Sequence, residues 1–236
     1  MIGILGGMGT QAGLDFCSKI SSLCKGKTDQ HQPLFLLYNK SNVPNRTKNI
    51  HQYNKVLKSL TEGCLVLQKN KCNFIVIPCN TAHYWYDDLQ KKIRIPIINM
   101  PEEVFLYTKK KCKKNSKIGL LATEGTLKTG VYSKFFNKNF KLTYPKKLLQ
   151  SLSVNKAIKY VKMGKIKEAE KVLQPAVNYL VKMKCKKIIL GCSELPLAVF
   201  RLSFLKNKNM YKIFIDPNSI LASASMKANN QAKFNT

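Results

Sequence analysis

The chain has 236 residues, and its 41 Lys and Arg residues outnumber its 12 Asp and Glu residues, giving a formal net charge of +29. An apolar share of 44% is enough to build a core, which excludes an intrinsically disordered chain. No apolar run approaches the roughly 18 residues of a membrane helix, and the first residues lack the basic and apolar regions of a signal peptide. We therefore expect a soluble, cytoplasmic protein with no membrane partner.

Short apolar runs alternate with longer amphipathic runs along the chain. The short runs predict strands at Ile2–Leu5, Leu34–Tyr38, Phe74–Pro78, Ile95–Ile98, Ile118–Ala122, Lys187–Leu190 and Ile213–Ile215. The longer runs predict helices at Ala12–Cys24, Asn49–Lys69, Thr81–Lys92, Thr129–Phe136, Val154–Met163, Ile166–Met183 and Ile220–Ala228. This alternation is typical of an α/β fold with mainly parallel sheets flanked by helices.

A weak internal repeat divides the chain. Ile2–Leu5 is echoed by Ile118–Leu121, and Ile75–Asn80 is echoed by Ile188–Ser193, with a cysteine closing the second strand of each pair. Two landmarks that recur at nearly the same spacing predict two pseudo-symmetric α/β lobes. We expect residues 1–98 with 208–236 to form the first lobe and residues 99–207 the second, with the last strand and helix returning to the first.

Two of the eight cysteines, Cys79 and Cys192, are placed for chemistry. Each follows a buried strand and precedes a predicted helix start, capped by Asn80 or Thr81 in the first case and by Ser193 in the second. Ligands bind at the carboxyl ends of parallel strands, and a helix N-terminus stabilises a thiolate. We expect the other six cysteines, Cys17, Cys24, Cys64, Cys72, Cys112 and Cys185, to be reduced and structural.

Two opposed thiols suit the inversion of a stereocentre. One thiolate removes a proton from carbon as general base, and the other thiol returns a proton to the opposite face as general acid, without a cofactor. A cysteine hydrolase would instead need a histidine base beside its nucleophile, and His83 is a poor partner that we expect to pack or cap. The three histidines lack the spacing of metal ligands, so we expect no metal.

The polar residues around both cysteines suit an acidic substrate. Asn80, Thr81 and Ser193, with nearby backbone N–H groups, can bind an α-carboxylate. The glycine loop at residues 6–9 serves equally well as a plain turn or as a substrate contact. The positive charge could also attract nucleic acid, but the densest lysine run, residues 109–114, has no interleaved aromatic residue. We therefore expect solvated lysines and no nucleic-acid partner.

Several motifs, in this order, carry a resemblance to a known family. They are Gly6-Gly7-Met8-Gly9 with Asp15-Phe16, Val43-Pro44-Asn45-Arg46-Thr47, Pro78-Cys79-Asn80-Thr81-Ala82-His83, Gly119-Leu120-Leu121-Ala122-Thr123 with Gly125-Thr126, Gly191-Cys192-Ser193-Glu194-Leu195 and Asp216-Pro217. With them the chain resembles the cofactor-independent aspartate/glutamate racemases, and specifically their aspartate racemase branch. The departures are Thr10 for the usual proline, Ser193 for threonine, and Asn99-Met100-Pro101 for a more common Asp-Met segment.

The resemblance implies two Rossmann-like lobes with the active site between them, no pyridoxal phosphate, and a homodimer. It makes Cys79 and Cys192 the catalytic acid/base pair. The α-carboxylate would then be held by Asn80, Thr81 and Ser193, the side-chain carboxylate by Arg46 and Lys162, with further substrate contacts from Met8 and Thr123.

The sequence leaves three functions open. The first is an aspartate racemase acting on a small acidic amino acid. The second is a racemase of broader specificity, acting on glutamate or other amino acids, or an isomerase of a dicarboxylic acid. The third, and most remote, is a nucleic-acid-binding protein on a degenerate racemase scaffold.

Overall fold

A computed structural model describes residues 1–26, 28–199 and 211–234, with side chains described as far as residue 231. The chain divides into two compact units. The first comprises Met1–Glu103 and Asn218–Thr236, and the second comprises Val104–Pro217. Within the described residues, no helix combines the length and the apolar character needed to cross a lipid bilayer.

The first unit is built on a three-stranded parallel sheet. Its elements are β1 (Ile2–Gly6), α1 (Thr10–Leu23), β2 (Phe35–Asn39), α2 (Tyr53–Lys69), β3 (Phe74–Val76), a 3-10 helix (Thr81–Trp85) and α3 (Tyr86–Lys92). The strand order is β2-β1-β3. Strand β1 is buried along its whole length, as expected for a central parallel strand covered by helices on both faces.

The second unit has a four-stranded parallel sheet with the order β5-β4-β6-β7. After α4 (Met100–Lys111), which spans the division between the units, come β4 (Lys117–Ala122), α5 (Glu124–Thr129), α6 (Ser133–Phe136), β5 (Lys141–Thr143) and α7 (Lys147–Leu149). A π-helix (Gln150–Asn155), α8 (Lys156–Lys162), α9 (Ile166–Lys182), β6 (Lys187–Gly191), α10 (Leu195–Val199) and β7 (Phe214–Ile215) follow, and α11 (Pro217–Phe234) closes the chain.

The two sheets repeat one strand order, and the predicted α/β fold with parallel sheets is confirmed. Strand β1 lies between β2 and β3, and strand β4 lies between β5 and β6. The two strands that precede the cysteines, β3 and β6, therefore occupy equivalent positions beside the central strand. The internal repeat read from the sequence corresponds to this shared order.

The assignment of the last strand to the first lobe was wrong. Strand β7 pairs with β6, with Ile188 opposite Phe214 and Ile189 opposite Ile215, so it extends the second sheet. Only α11 lies with the first unit, and the units divide at Glu103/Val104 and Pro217/Asn218 rather than at 98/99 and 207/208. A two-residue strand carries too little pattern for the sequence to reveal its partner.

Three predicted elements also differ locally. The predicted strand Ile95–Ile98 is reduced to a single bridge between Ile97 and Ile75. The predicted helix Thr129–Phe136 is interrupted because Gly130, at φ +64°, ends α5 in the left-handed conformation. The helix predicted at Thr81–Lys92 begins as a 3-10 helix before α3, while β5 and α4 were not predicted.

Candidate functional site

Cys79 lies in the first unit just beyond the carboxyl end of β3. Its side chain is buried, as are those of Asn80 and Thr81, and its backbone N–H donates to the carbonyl of Ile77 at 2.7 Å. The chain then enters the 3-10 helix, whose N-cap residue Asn80 already has helical backbone angles and makes no side-chain capping bond. The predicted capping role of Asn80 was therefore wrong, although its predicted place beside the thiol was right.

His83 holds the Cys79 segment against the start of α4. Its Nε2 accepts a hydrogen bond from the backbone N–H of Met100 at 3.1 Å, so the ring proton is on Nδ1, which donates to the carbonyl of Cys79 at 3.0 Å. Burial lowers the pKa of His83 to about 4, and the ring stays neutral at pH 7. The prediction that His83 packs and caps is confirmed.

The glycine loop after β1 needs glycine for a backbone reason. Gly7 has φ +89°, and a Cβ there would lie 2.3 Å from the backbone carbon of Lys40. This close approach brings the loop against the segment that follows β2. A turn role for Gly7 is thus established, and the buried Met8 is fixed beside it.

Arg46 links that following segment to the glycine loop. One Nη group donates to the carbonyls of Val43 and Pro44, and the other donates to the carbonyl of Met8 at 2.9 Å. Its Nε atom is buried and makes no hydrogen bond with any residue in the described part of the chain. The guanidinium is therefore oriented by backbone carbonyls and retains donor capacity, which a carboxylate could use.

Cys192 lies in the second unit just beyond β6, in a position equivalent to that of Cys79. Gly191 permits close packing before the cysteine, because a Cβ there would lie 2.7 Å from Cδ1 of Leu120. The Sγ of the buried Cys192 donates to Oε2 of Glu194 at 2.9 Å, and Ser193 Oγ donates to the same oxygen at 3.4 Å. The hydroxyl of Ser193 thus bonds to this carboxylate.

Lys162 and Glu194 form an ion pair beside this thiol. The Nζ of Lys162 lies 3.4 Å from Oε1 of Glu194, whose side chain is only 6% exposed, against 47% for that of Lys162. Sequence reasoning gave Lys162 a substrate role and gave Glu194 none. The signal for Glu194 was its position two residues after the cysteine, but only the fold brings the lysine to it.

The surroundings of Cys192 keep its thiol protonated. Burial, then the negative charge of Glu194 and the hydrogen bond to it, raise the pKa of Cys192 well above its usual value, while Lys162 opposes the rise. We expected a helix start to stabilise a thiolate here. At Cys192 this effect of the short helix α10 is outweighed by burial and by a carboxylate in contact with the sulfur.

Thr123 lies at the carboxyl end of β4, where it caps α5. Its Oγ1 accepts a hydrogen bond from the backbone N–H of Thr126 at 3.1 Å. Beside it, the buried Gln150 of the π-helix donates from Nε2 to the carbonyl of Ala122 and to Asn155, both at 2.9 Å. Gln150 was not predicted as a site residue, because an amphipathic pattern does not indicate the π-helix that positions it.

Tyr132 is a second residue that the sequence did not single out. It is almost completely buried, and its ring passes 3.3 Å from the point where a Cβ on Gly191 would lie. Burial, with the nearby negative charge of Asp216, raises its pKa far above the usual value. The hydroxyl therefore stays protonated, as a potential donor close to the second cysteine.

The remaining cysteines lie in structural positions. Cys64, Cys72 and Cys185 are buried, Cys17, Cys24 and Cys112 are partly exposed, and all eight are free thiols. Across residues 1–26, 28–199 and 211–234, no group of three or more His, Cys, Asp or Glu side chains could hold a metal ion.

The predicted site residues fall into two local groups. In the first unit, Met8 contacts Arg46, and Cys79 is followed by the buried Asn80 and Thr81. In the second unit, Lys162 reaches Cys192 and Ser193 through Glu194, and Thr123 caps the helix after β4. Each of these residues except Lys162 lies at or just after the carboxyl end of a parallel strand, or in a loop that is hydrogen-bonded to such a position.

Comparison with known proteins gives consistent matches. A family model described as Asp/Glu/Hydantoin racemase matches residues 5–224. The chain is 26% identical over 199 residues to the broad specificity amino-acid racemase RacX of Bacillus subtilis, covering 83% of this chain and 86% of RacX. The aspartate racemase of Picrophilus torridus is similar in structure, with a TM-score of 0.80 and 27% identity over 97% of this chain and 94% of that one.

A glutamate racemase supports the fold at greater distance. The enzyme of Francisella tularensis, solved in complex with D-glutamate, has a TM-score of 0.72 at 17% identity, covering 98% of this chain and 81% of that one. At this identity the similarity concerns the fold alone.

Proposed function

Because the chain belongs to the Asp/Glu/hydantoin racemase family, we propose that it interconverts L- and D-aspartate without pyridoxal phosphate, using Cys79 and Cys192 as the two acid/base groups. One observation carries the proposal. Each cysteine follows the same strand of a repeated sheet order, so each lies at the ligand-binding edge of its own sheet.

In the proposed reaction each thiol transfers a proton at one face of the substrate α-carbon. A thiolate takes the proton from the α-carbon, the electron pair stays on that carbon and its carboxylate, and the opposite thiol donates its own proton to the other face. The thiol that gave its proton is then the thiolate, so one proton is taken up and one is returned. The raised pKa of Cys192 makes it the group that holds a proton before reaction.

The substrate carboxylates would be held by the polar residues around each cysteine. Asn80, Thr81 and Ser193 are buried next to the thiols and suit the α-carboxylate. Arg46 retains a buried Nε donor for the side-chain carboxylate, with Lys162 as its partner in that task. Met8, beneath the Arg46 guanidinium, and Thr123 would complete the substrate contacts.

A broader substrate range is the second candidate function. One observation favours it: Lys162 is already paired with Glu194, which leaves it less charge for a second carboxylate of the substrate. The relative RacX, with its broad specificity, is similar over most of its length. An isomerase of a dicarboxylic acid would use the same two thiols.

The first experiment follows the circular dichroism of L-aspartate over time, with reduced protein and no added cofactor. We expect the signal to decay to zero, because a racemic mixture has no net dichroism. The same assay with D-aspartate, L-glutamate and a neutral amino acid separates aspartate specificity from a broad range. A flat trace for every amino acid would overturn the proposal.

Matched variants assign the chemistry. Cys79→Ser and Cys192→Ser should each abolish the decay, whereas Cys112→Ser, at a partly exposed thiol, should leave it unchanged. Arg46→Ala should impair dicarboxylic substrates selectively. Light scattering of the same samples tests the homodimer, which we retain as part of the proposal.

A further inference from the structure

The positive charge of the chain is divided unequally between its two units. The first unit has 15 basic and 7 acidic residues, a net charge of +8, while the second has 26 basic and 5 acidic residues, a net charge of +21. A uniform preference for lysine would not produce this contrast between units of similar length. The second unit therefore needs its own explanation.

Within the second unit the charges are sorted by the direction of the strands. All four strands are parallel, so their amino ends share one edge of the sheet. Lysines begin β4, β5 and β6, and Lys212 lies just before β7, with Lys117 directly opposite Lys141 in the register. We name the basic edge as the lysines within residues 109–117 and 184–187, together with Lys141 and Lys212.

The acidic residues of this unit lie at the other end of the sheet. Glu124, Glu194 and Asp216 follow the carboxyl ends of β4, β6 and β7, and Glu168 and Glu170 lie at the start of α9, which runs back toward the amino ends. The basic edge has no acidic residue of its own. All of its lysines are exposed except the half-buried Lys187, and none forms an ion pair with any described residue.

Aromatic side chains lie among these lysines. An open pocket at the basic edge is lined by Tyr107, Lys111, Lys187, Tyr211, Lys212 and Phe214. Tyr211 is 36% exposed, and Lys187 Nζ donates to the carbonyl of Lys212, which anchors one wall. The lysine run at 109–114 contains no aromatic residue, but Tyr107 precedes it in α4, and the fold adds Tyr211 from the segment before β7.

We infer that the basic edge is a docking surface for single-stranded nucleic acid, with backbone phosphates along the lysines and a base in the Tyr107–Tyr211 pocket. Lysines release counterions from phosphates, and aromatic rings stack on any base, which together favour a single strand over a smooth anionic surface. Cys192 lies at the opposite, carboxyl edge of the same sheet. Binding at the basic edge is therefore distinct from the proposed racemase activity.

The test measures binding of a fluorescein-labelled 20-nucleotide uridine RNA by anisotropy as a function of NaCl concentration. The edge variant combines Lys111→Gln, Lys114→Gln, Lys186→Gln and Lys212→Gln. The control combines Lys146→Gln, Lys147→Gln, Lys159→Gln and Lys167→Gln, four exposed lysines of the same unit with the same change of charge. Far-UV circular dichroism and the thermal midpoint establish that each variant folds, independently of any enzyme assay.

We expect the edge variant to bind at least about 10-fold more weakly at 100 mM NaCl. The slope of log affinity against log salt concentration should become shallower by about 3, because each phosphate contact of a single strand contributes about 0.7 to that slope. The control should change affinity by less than about 3-fold. Tyr107→Leu should weaken binding about 5- to 100-fold through the loss of stacking.

Three results would overturn the inference. Equal losses in the edge variant and the control would show that only net charge matters. Binding to vesicles containing 20% phosphatidylserine, with no binding to the RNA, would assign the edge to a membrane surface instead. Equal affinity for a 20-base-pair duplex, with no effect of Tyr107→Leu, would remove the single strand as the partner.

Discussion

The two cysteine segments have the same place in the fold but different surroundings. Cys79 and Cys192 each follow the strand beside the central strand of a parallel sheet. The backbone hydrogen bonds of Cys79 are neutral: its N–H donates to the carbonyl of Ile77, and its carbonyl accepts from a neutral histidine, His83, which also caps α4. Around Cys192 the contacts are charged, since its thiol donates to Glu194, which pairs with Lys162.

A repeated topology therefore does not imply repeated electrostatics. The shared strand order determines where each sulfur lies, whereas residues two to four positions later, and one helix elsewhere in the unit, determine the charge around it. For the proposed two-base reaction the consequence is that the thiols are unequal. Cys192 holds its proton, because burial and Glu194 both disfavour its thiolate.

The largest expected effect separates the two thiols. Cys79→Ser and Cys192→Ser should each lower racemisation by about 10³-fold, because each removes one general acid/base. In D2O, each variant should still exchange the α-proton of one enantiomer, and the two variants should act on opposite enantiomers. NMR measures this exchange. Because Cys192 holds its proton, Cys79→Ser should exchange more slowly than Cys192→Ser. Equal exchange rates in the two variants would contradict the inequality of the thiols.

The next effect concerns the neutral histidine of the first segment. The folded-state pKa of His83, about 4, lies below its ordinary value of 6.5, so the unfolded chain takes up the proton first as pH falls. The stability contributed by the neutral ring is thus complete above pH 6.5 and is lost toward pH 4, by about 3 kcal/mol.

Urea unfolding between pH 7 and pH 4 measures this loss for the wild type and for His83→Gln, whose side chain does not titrate. The difference between the two curves isolates the histidine from the carboxylates that titrate in the same range. Parallel curves would show that His83 has an ordinary pKa.

A smaller effect is expected at the carboxylate of the second segment. Glu194→Gln should lower kcat/KM by an amount that corresponds to about 2 kcal/mol of activation free energy. This is the contribution of a hydrogen bond to a charged group. The substitution should also move the alkaline limb of the pH profile to lower pH, because removing the carboxylate lowers the pKa of Cys192. Glu124→Gln, the matched carboxylate after β4, should leave the profile unchanged. An unmoved limb in Glu194→Gln would reduce Glu194 to a packing role.

The smallest effect is expected at Gly191, which precedes Cys192 as Pro78 precedes Cys79. Gly191→Ala should lower the free energy of unfolding by about 1–3 kcal/mol, since the new Cβ would approach Leu120 Cδ1 to 2.7 Å. Gly13→Ala, in α1, meets no atom closer than 3.5 Å and should stabilise by up to about 1 kcal/mol. Thermal unfolding compares both with the wild type, and a neutral Gly191→Ala would indicate that β6 can shift.

The fold class and the positions of the two cysteines after buried strands could be predicted from the amino-acid sequence. Apolar runs such as Phe74-Ile75-Val76 and Ile188-Ile189-Leu190 identify buried parallel strands, because both faces of such strands are covered. The position of a strand determines where the residues that directly follow it lie. For this reason Cys79, Asn80, Cys192 and Ser193 could be predicted as site residues.

The contacts between segments that are distant in the sequence are known only from the tertiary structure. Strand β7 pairs with the second sheet, the ammonium of Lys162 lies beside the carboxylate of Glu194, and Tyr107 and Tyr211 line one pocket with Lys187 of β6. None of these contacts lies within one element, and local periodicity records only which face of an element is buried. Which partner covers that face, and therefore which charge lies beside a given sulfur, is determined by the packing of the whole unit.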